Sequence, residues 1–246
     1  YYVPNNMIVV VVGDFEGEAT LGQIRRAFGS LQPAAQIPRN PIREPRQRGE
    51  RRTEIEFDLQ SPILLAAWHA PAAGHPDAEA LDVASYILSA GRSSRLYRAL
   101  VYEAQAALYA YGGYWELKNA GLFYASAGVR PGVPVERVES LFFEEIDRMQ
   151  EEGVLESEVA KAKRQLEVAL VEGLTTSHSV AARIGQEMAV FGRVRPLQER
   201  MDAVRRVTAE DVQRVVRTYL RADKRSVVHV VPPATREEDA GEDPSP

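Results

Sequence analysis

The sequence contains no cysteine, which excludes disulfide scaffolds, thiol nucleophiles and cysteine-ligated metal sites. No apolar run approaches the roughly 18–20 residues that a membrane-spanning helix needs. The chain opens Tyr1-Tyr2-Val3-Pro4, without an initiator methionine, a basic leader or a signal peptide. Such a start reads as a processed or cloned piece of something longer. With no cysteine to report on redox conditions, the compartment stays open between cytoplasm and periplasm. Histidine is scarce as well: His69, His75, His178 and His229 are the only four. None has a partner at i+4, and neither H-x-x-E-H nor H-E-x-x-H occurs. The spacing of His69 and His75 matches no common zinc-ligand pattern. No metal is therefore expected on this chain, and each histidine reads as a surface or loop residue. Gly112-Gly113 lacks the Lys and Ser/Thr of a phosphate loop. Ser93-Ser94 forms no nucleophile elbow and reads as a helix cap.

What is present is an ordinary globular balance, 45% hydrophobic and 26% charged over 246 residues. At roughly 150 residues per domain, that length corresponds to about 1.6 domains. The net charge of −5 is unevenly spread. Residues 232–246 hold five acids (Glu237, Glu238, Asp239, Glu242, Asp243) against Arg236. Residues 39–52 hold six arginines against Glu44 and Glu50. The basic stretch is interrupted by Pro41 and Pro45 and has no interleaved aromatics, so it reads as a solvated linker, and no nucleic-acid partner is expected.

Met7–Val12 is a β-branched run closed by Gly13-Asp14, the pattern of a buried strand. Glu18–Phe28 has helical spacing and stops at Gly29. A larger unit begins near Thr53. Thr53–Leu59 alternates as a half-buried strand with Ile55, Phe57 and Leu59 on one side, and Ile63–His69 is a second strand. Asp77–Ser89 and Arg95–Ala104 are helices, and Leu108–Leu117 and Leu122–Arg130 pair through the turn at Lys118-Asn119-Ala120-Gly121. The second half is mostly helical: Pro134–Glu152, Ser157–Gly173, Ser177–Phe191, Pro196–Val204 and Ala209–Leu220, the last capped by Thr208. Glu144-Glu145 and Glu151-Glu152 read as solvated charges opposite an apolar stripe. Arg225–Val231 is a closing strand, and the acidic tail after it reads as disordered. Strand pairs and helices that are segregated give an α+β fold, an antiparallel or mixed sheet with helices packed on one face.

Chemistry concentrates in one place. Five of the ten tyrosines, Tyr97, Tyr102, Tyr109, Tyr111 and Tyr114, lie within one short stretch. Tyr109 and Tyr111 alternate onto one strand face, where a hydroxyl can donate to a peptide carbonyl or a developing oxyanion. Packing of an amphipathic strand accounts for the same pattern.

Together, Tyr2-Val-Pro-Asn-Asn6, Met7–Asp14, His75-Pro-Asp77, Gly91-Arg-Ser-Ser-Arg-Leu-Tyr-Arg98, the Leu155–Leu170 helix and Val207-Thr-Ala-Glu-Asp-Val-Gln-Arg214 resemble the pitrilysin/insulinase-type zinc metallopeptidases, which include the mitochondrial processing peptidases. The resemblance implies a metallopeptidase-like fold in which residues 1–32 are the closing strand and helix of a first domain. Residues 33–52 would be a linker, 53–232 a second, non-zinc, substrate-contacting domain, and 233–246 a disordered tail. It implies that zinc sits in a homologous H-x-x-E-H domain or subunit, in a full protein that is a homo- or heterodimer, and that a peptide is the substrate. It also implies that domain two carries an Arg and a Tyr seven positions apart. Aligned on that pair, Tyr109 takes the Tyr position and Tyr102 stands where the Arg belongs. Arg98, one helical turn earlier, can reach the same side. The substrate-contacting residues implied are thus Tyr109, Tyr102 and Arg98. The implied activity is proteolysis of peptides or unfolded protein when this chain is combined with a zinc-bearing domain. A non-proteolytic assembly subunit of the same fold, as in respiratory complexes, is the alternative.

Overall fold

The computed structural model describes residues 1–39 and 45–233. The expected tail, apart from Pro233, and part of the expected linker lie outside the described residues. Among the described residues five strands are formed: β1 (Arg51–Glu56), β2 (Ile63–Ala70), β3 (Ala107–Trp115), β4 (Gly121–Val129) and β5 (Arg225–Val231). They make one mixed sheet in the order β1-β5-β2-β4-β3. Only β1 and β5 run parallel; the other pairs are antiparallel. The helices are α1 (Gly17–Phe28), α2 (Ala78–Ser89), α3 (Val135–Glu151), α4 (Glu156–Glu172), α5 (Ser177–Phe191), α6 (Leu197–Arg206) and α7 (Ala209–Tyr219).

Strand side chains alternate between the two faces of a sheet, and here only one parity enters the core. Leu64, Ala66 and Trp68 of β2, Phe123, Ala125, Ala127 and Val129 of β4, and Val227 of β5 pack with α2, α3 and α7. Trp68 stands edge-on to Phe123 and to Phe143 of α3, at 6.3 Å each, and its indole N–H donates to the Arg221 carbonyl. A bulky ring buried this way contributes about 2–3 kcal/mol. Chain termini of helices are satisfied locally. The Thr208 hydroxyl accepts from the Asp211 N–H while the Asp211 carboxylate accepts from the Thr208 N–H, a reciprocal cap on α7. Gly153 closes the turn after α3 with φ +80°, a conformation that a side chain disfavours.

The other parity forms a second face. The register aligns Thr53 and Ile55 of β1, Val228 and Val230 of β5, Ile63, Leu65 and Ala67 of β2, Leu122, Tyr124 and Ser126 of β4, and Tyr109, Tyr111 and Trp115 of β3. No member of the core cluster comes from these positions. The helical layer covers one side of the sheet and leaves this one open.

Several sequence expectations change. Met7–Val12 forms no strand, because no described strand lies beside it to complete a ladder, and Met7, Ile8, Val9 and Val11 stay exposed. The strand expected over Thr53–Leu59 runs instead over Arg51–Glu56, taking two residues from the expected linker. It is exposed along its whole length because it is a sheet edge and Ile55 lies on the open face. His229 is buried on β5 with its ring nitrogen 2.6 Å from Glu139; the sequence pattern treats it as a surface residue, but its strand parity points it at α3. Glu145 is also buried, paired with Arg148 at 2.7 Å.

Candidate functional site

β3 is one of the two edge strands of the sheet. Tyr109 and Tyr111 lie on the open face with their rings stacked at 5.7 Å, and they are 38% and 50% exposed. Opposite Tyr109 in the register is Gly128. A Cβ there would lie 2.3 Å from a Tyr109 ring carbon, so the missing side chain is what lets the ring lie flat on β4. A glycine inside a strand often marks a close approach of this kind. Burial, and to a lesser degree the neighbouring Tyr111, raises the Tyr109 pKa. The phenol therefore stays protonated and able to donate at neutral pH. Trp115 and Tyr124 form a second aromatic pair on the same face, 5.0 Å apart. Between Tyr111 and Leu65 in the register sits Ser126, fully buried, whose hydroxyl has no hydrogen-bond partner among the described residues.

Tyr102 and Arg98 belong to the segment Tyr97–Glu103, which is a π-helical turn. In that geometry the residue one turn on is i+5, not i+4. Arg98 accordingly pairs with Glu103 at 2.9 Å and lines a polar cavity of about 340 Å³ with Arg95, Arg148 and Glu158. Tyr102 is 77% exposed. No hydrogen bond, ion pair or ring contact joins Tyr102, Arg98 and Tyr109 among the described residues. The chain turns from the π-helical segment into β3 at Gln105, a non-glycine residue with φ +49°.

Two further ion pairs lie on the helical side, the first partly exposed and the second buried. Asp82 on α2 pairs with Arg200 of α6 at 2.8 Å beside a cavity of about 470 Å³. Burial dominates over Arg200 and pushes its carboxyl up to about 6. Glu187 of α5 holds Arg195 at 2.8 Å; burial works against its ionisation, but the Arg195 hydrogen bonds win and hold its pKa low. No group of three or more His, Asp and Glu side chains converges to hold a metal ion among the described residues. His69 and His229 point to opposite faces of the sheet, and a zinc ion has no fitting donor set in them. No helix is long and apolar enough to cross a membrane among the described residues.

Gly128, Ser126, Trp115 and Tyr124 were not legible as site residues in the sequence. The glycine inside an apolar strand pattern was the one available signal, and which tyrosine it faces depends on strand register.

Among the described residues the fold is a mixed α/β domain, one sheet backed by helices on one side, with an open aromatic face and no convergent set of metal ligands. The chain belongs to the peptidase M16 inactive domain family, whose model matches residues 1–166. It is 26% identical over 235 residues to zinc protease PqqE of Helicobacter pylori, covering 94% of this chain and 53% of that protein. An uncharacterized zinc protease of Streptomyces coelicolor is 29% identical over 233 residues, covering 89% and 49%. Among solved structures, a protease from Helicobacter pylori superposes with a TM-score of 0.82 at 23% identity, covering 90% of this chain and 54% of that one. A peptidase M16 inactive domain from Pseudomonas fluorescens gives 0.74 at 20%, covering 92% and 53%. The chain spans about half the length of the curated relatives it matches.

Proposed function

We infer that this chain is the peptide-contacting, non-zinc half of a zinc peptidase, working with a homologous domain or subunit that carries zinc in an H-x-x-E-H motif. Residues 1–32 are then the closing strand and helix of the preceding domain, which gives the apolar run Met7–Val12 a sheet to join. The observation that carries the reading is Tyr109, on the uncovered face of the edge strand β3, its ring packed over Gly128 and its raised pKa keeping the hydroxyl a donor at neutral pH. There the hydroxyl donates to a substrate carbonyl and orients the chain, while the zinc half supplies the activated water. Tyr102 supplies a second neutral contact at most, and Arg98 is committed to Glu103.

The test is Tyr109→Phe in the assembled, zinc-loaded enzyme. Loss of one donor from a reacting carbonyl costs about a hundred- to a thousandfold in kcat. Unchanged peptide cleavage would remove Tyr109 from the substrate. A non-proteolytic assembly subunit is the second reading, favoured by Tyr102 standing where the family pattern has Arg, since a neutral hydroxyl does not replace a fixed cationic fork. Co-purification with a zinc-bearing homologue that cleaves unfolded peptides decides between the two.

A further inference from the structure

We propose that the open sheet face selects extended peptides whose side chains are uncharged and apolar or aromatic. The inference rests on the peptide-contacting reading above and names its substrate class. The argument is the distribution of charge over the two parities of the strands. No aspartate or glutamate occupies an open-face position on any of the five strands. The basic residues there are Arg51, at the start of the outermost strand, and His69, near the end of β2. The acids of β1, Glu54 and Glu56, fall on the opposite parity, as does Arg52, which reaches Glu139 on α3.

The middle of the face is therefore apolar, with Ile55, Leu65 and Val228 in its floor. Its polar atoms are neutral hydroxyls. Tyr109 and Tyr111 stand at one edge, half exposed with their rings stacked, while the Ser126 hydroxyl beneath them is sealed from the surface. Such groups match the N–H and C=O of an extended backbone, and aliphatic and aromatic side chains match the floor and the Trp115–Tyr124 shelf. A ligand carboxylate or ammonium laid over Leu65 and Val228 would lose hydration against aliphatic side chains. A neutral, apolar chain loses little and covers a face that otherwise stays open to water.

The test uses the 246-residue chain and three peptides of equal length, identical except at alternate positions that carry Leu/Phe, Glu or Lys. Affinity is read by anisotropy of the labelled peptides, and the location by the emission of Trp115, since Trp68 is buried. The neutral peptide is expected to bind at least about tenfold tighter than either charged one, with little dependence on salt. It should also shift an emission signal that Trp115→Phe removes. Equal affinities, or a charged peptide binding tightest with a steep salt dependence, would overturn the selectivity and leave the peptide-contacting reading intact. Binding by none of the three would remove both. A face occupied by a second copy of the chain, seen as concentration-dependent dimerisation that blocks Trp115, would also overturn it.

Discussion

Gly128→Ala tests the placement of Tyr109 most directly. The added methyl carbon would lie 2.3 Å, 2.6 Å and 2.9 Å from three Tyr109 ring atoms, against about 3.5–4.0 Å for a relaxed carbon contact. The ring must move by more than an ångström. Because Tyr109 is 38% exposed, it can swing toward solvent, so the cost falls toward the lower end of the roughly 1–3 kcal/mol seen for overpacking. The escape also breaks the stack on Tyr111, a pair worth about 0.5–1.5 kcal/mol. About 1–2 kcal/mol of destabilisation is expected in urea unfolding, with the m-value unchanged. In a Tyr109→Ala background there is no ring to displace, and the same Gly128→Ala substitution should cost about nothing. A coupling of about 1–2 kcal/mol between the two sites therefore measures the cradle itself. If Gly128→Ala costs the same in both backgrounds, the ring does not rest on Gly128 and the geometry argued for the site is wrong. Gly121→Ala is the contrast: its methyl would meet the Pro71 carbonyl oxygen at 2.2 Å. That atom is backbone and has no rotamer to escape into, so the loss should exceed that at Gly128.

Two further outcomes follow from the ionic groups. The Asp82 carboxyl titrates near 6 when folded and near 3.8 when unfolded, so the folded state binds more protons between those values. Stability should thus fall as pH rises from about 4 to about 6 through this group, and Asp82→Asn should flatten that part of the profile in thermal melts; an unchanged slope would contradict the raised Asp82 pKa. Arg52 forks onto Glu139 and also holds Glu50, pinning the exposed strand β1 to α3. Hydrogen bonding from Arg52 is the leading cause of the lowered Glu139 pKa, so this contribution is present at neutral pH and lost as pH falls through that depressed value. Since Arg52 is half exposed, Arg52→Met should cost only about 1 kcal/mol. Chemical denaturation at about 1 M salt, where screening acts within about 3 Å, should show most of that penalty gone. A penalty unaffected by salt would mean that packing, and not charge, holds β1.

Much of the secondary structure could be read from local pattern because its causes are local. The helix α5, Ser177–Phe191, and the strand β5, Arg225–Val231, have the expected bounds, and Thr208 caps α7 through its own side chain. The elements that moved are those whose state depends on a distant partner. Met7–Val12 has the composition of a buried strand and no described neighbour to pair with. β1 has the alternation of a half-buried strand but lies at an edge on an uncovered face. Arg95–Ala104 has helical residues, yet its π-helical turn redirects Arg98 from Tyr102 to Glu103.

The sequence by itself determined the helices, most of the strands, the absence of any thiol chemistry and the alternation that puts Tyr109 and Tyr111 on one face, because spacing along the chain sets which side chains share a surface. Only the tertiary structure decided which face the helices cover, that Gly128 lies under Tyr109, that Ser126 has no hydrogen-bond partner among the described residues and that the acids of the strands are kept off the open side. Those facts depend on strand order and register, and a shift of one residue would have exchanged the two faces.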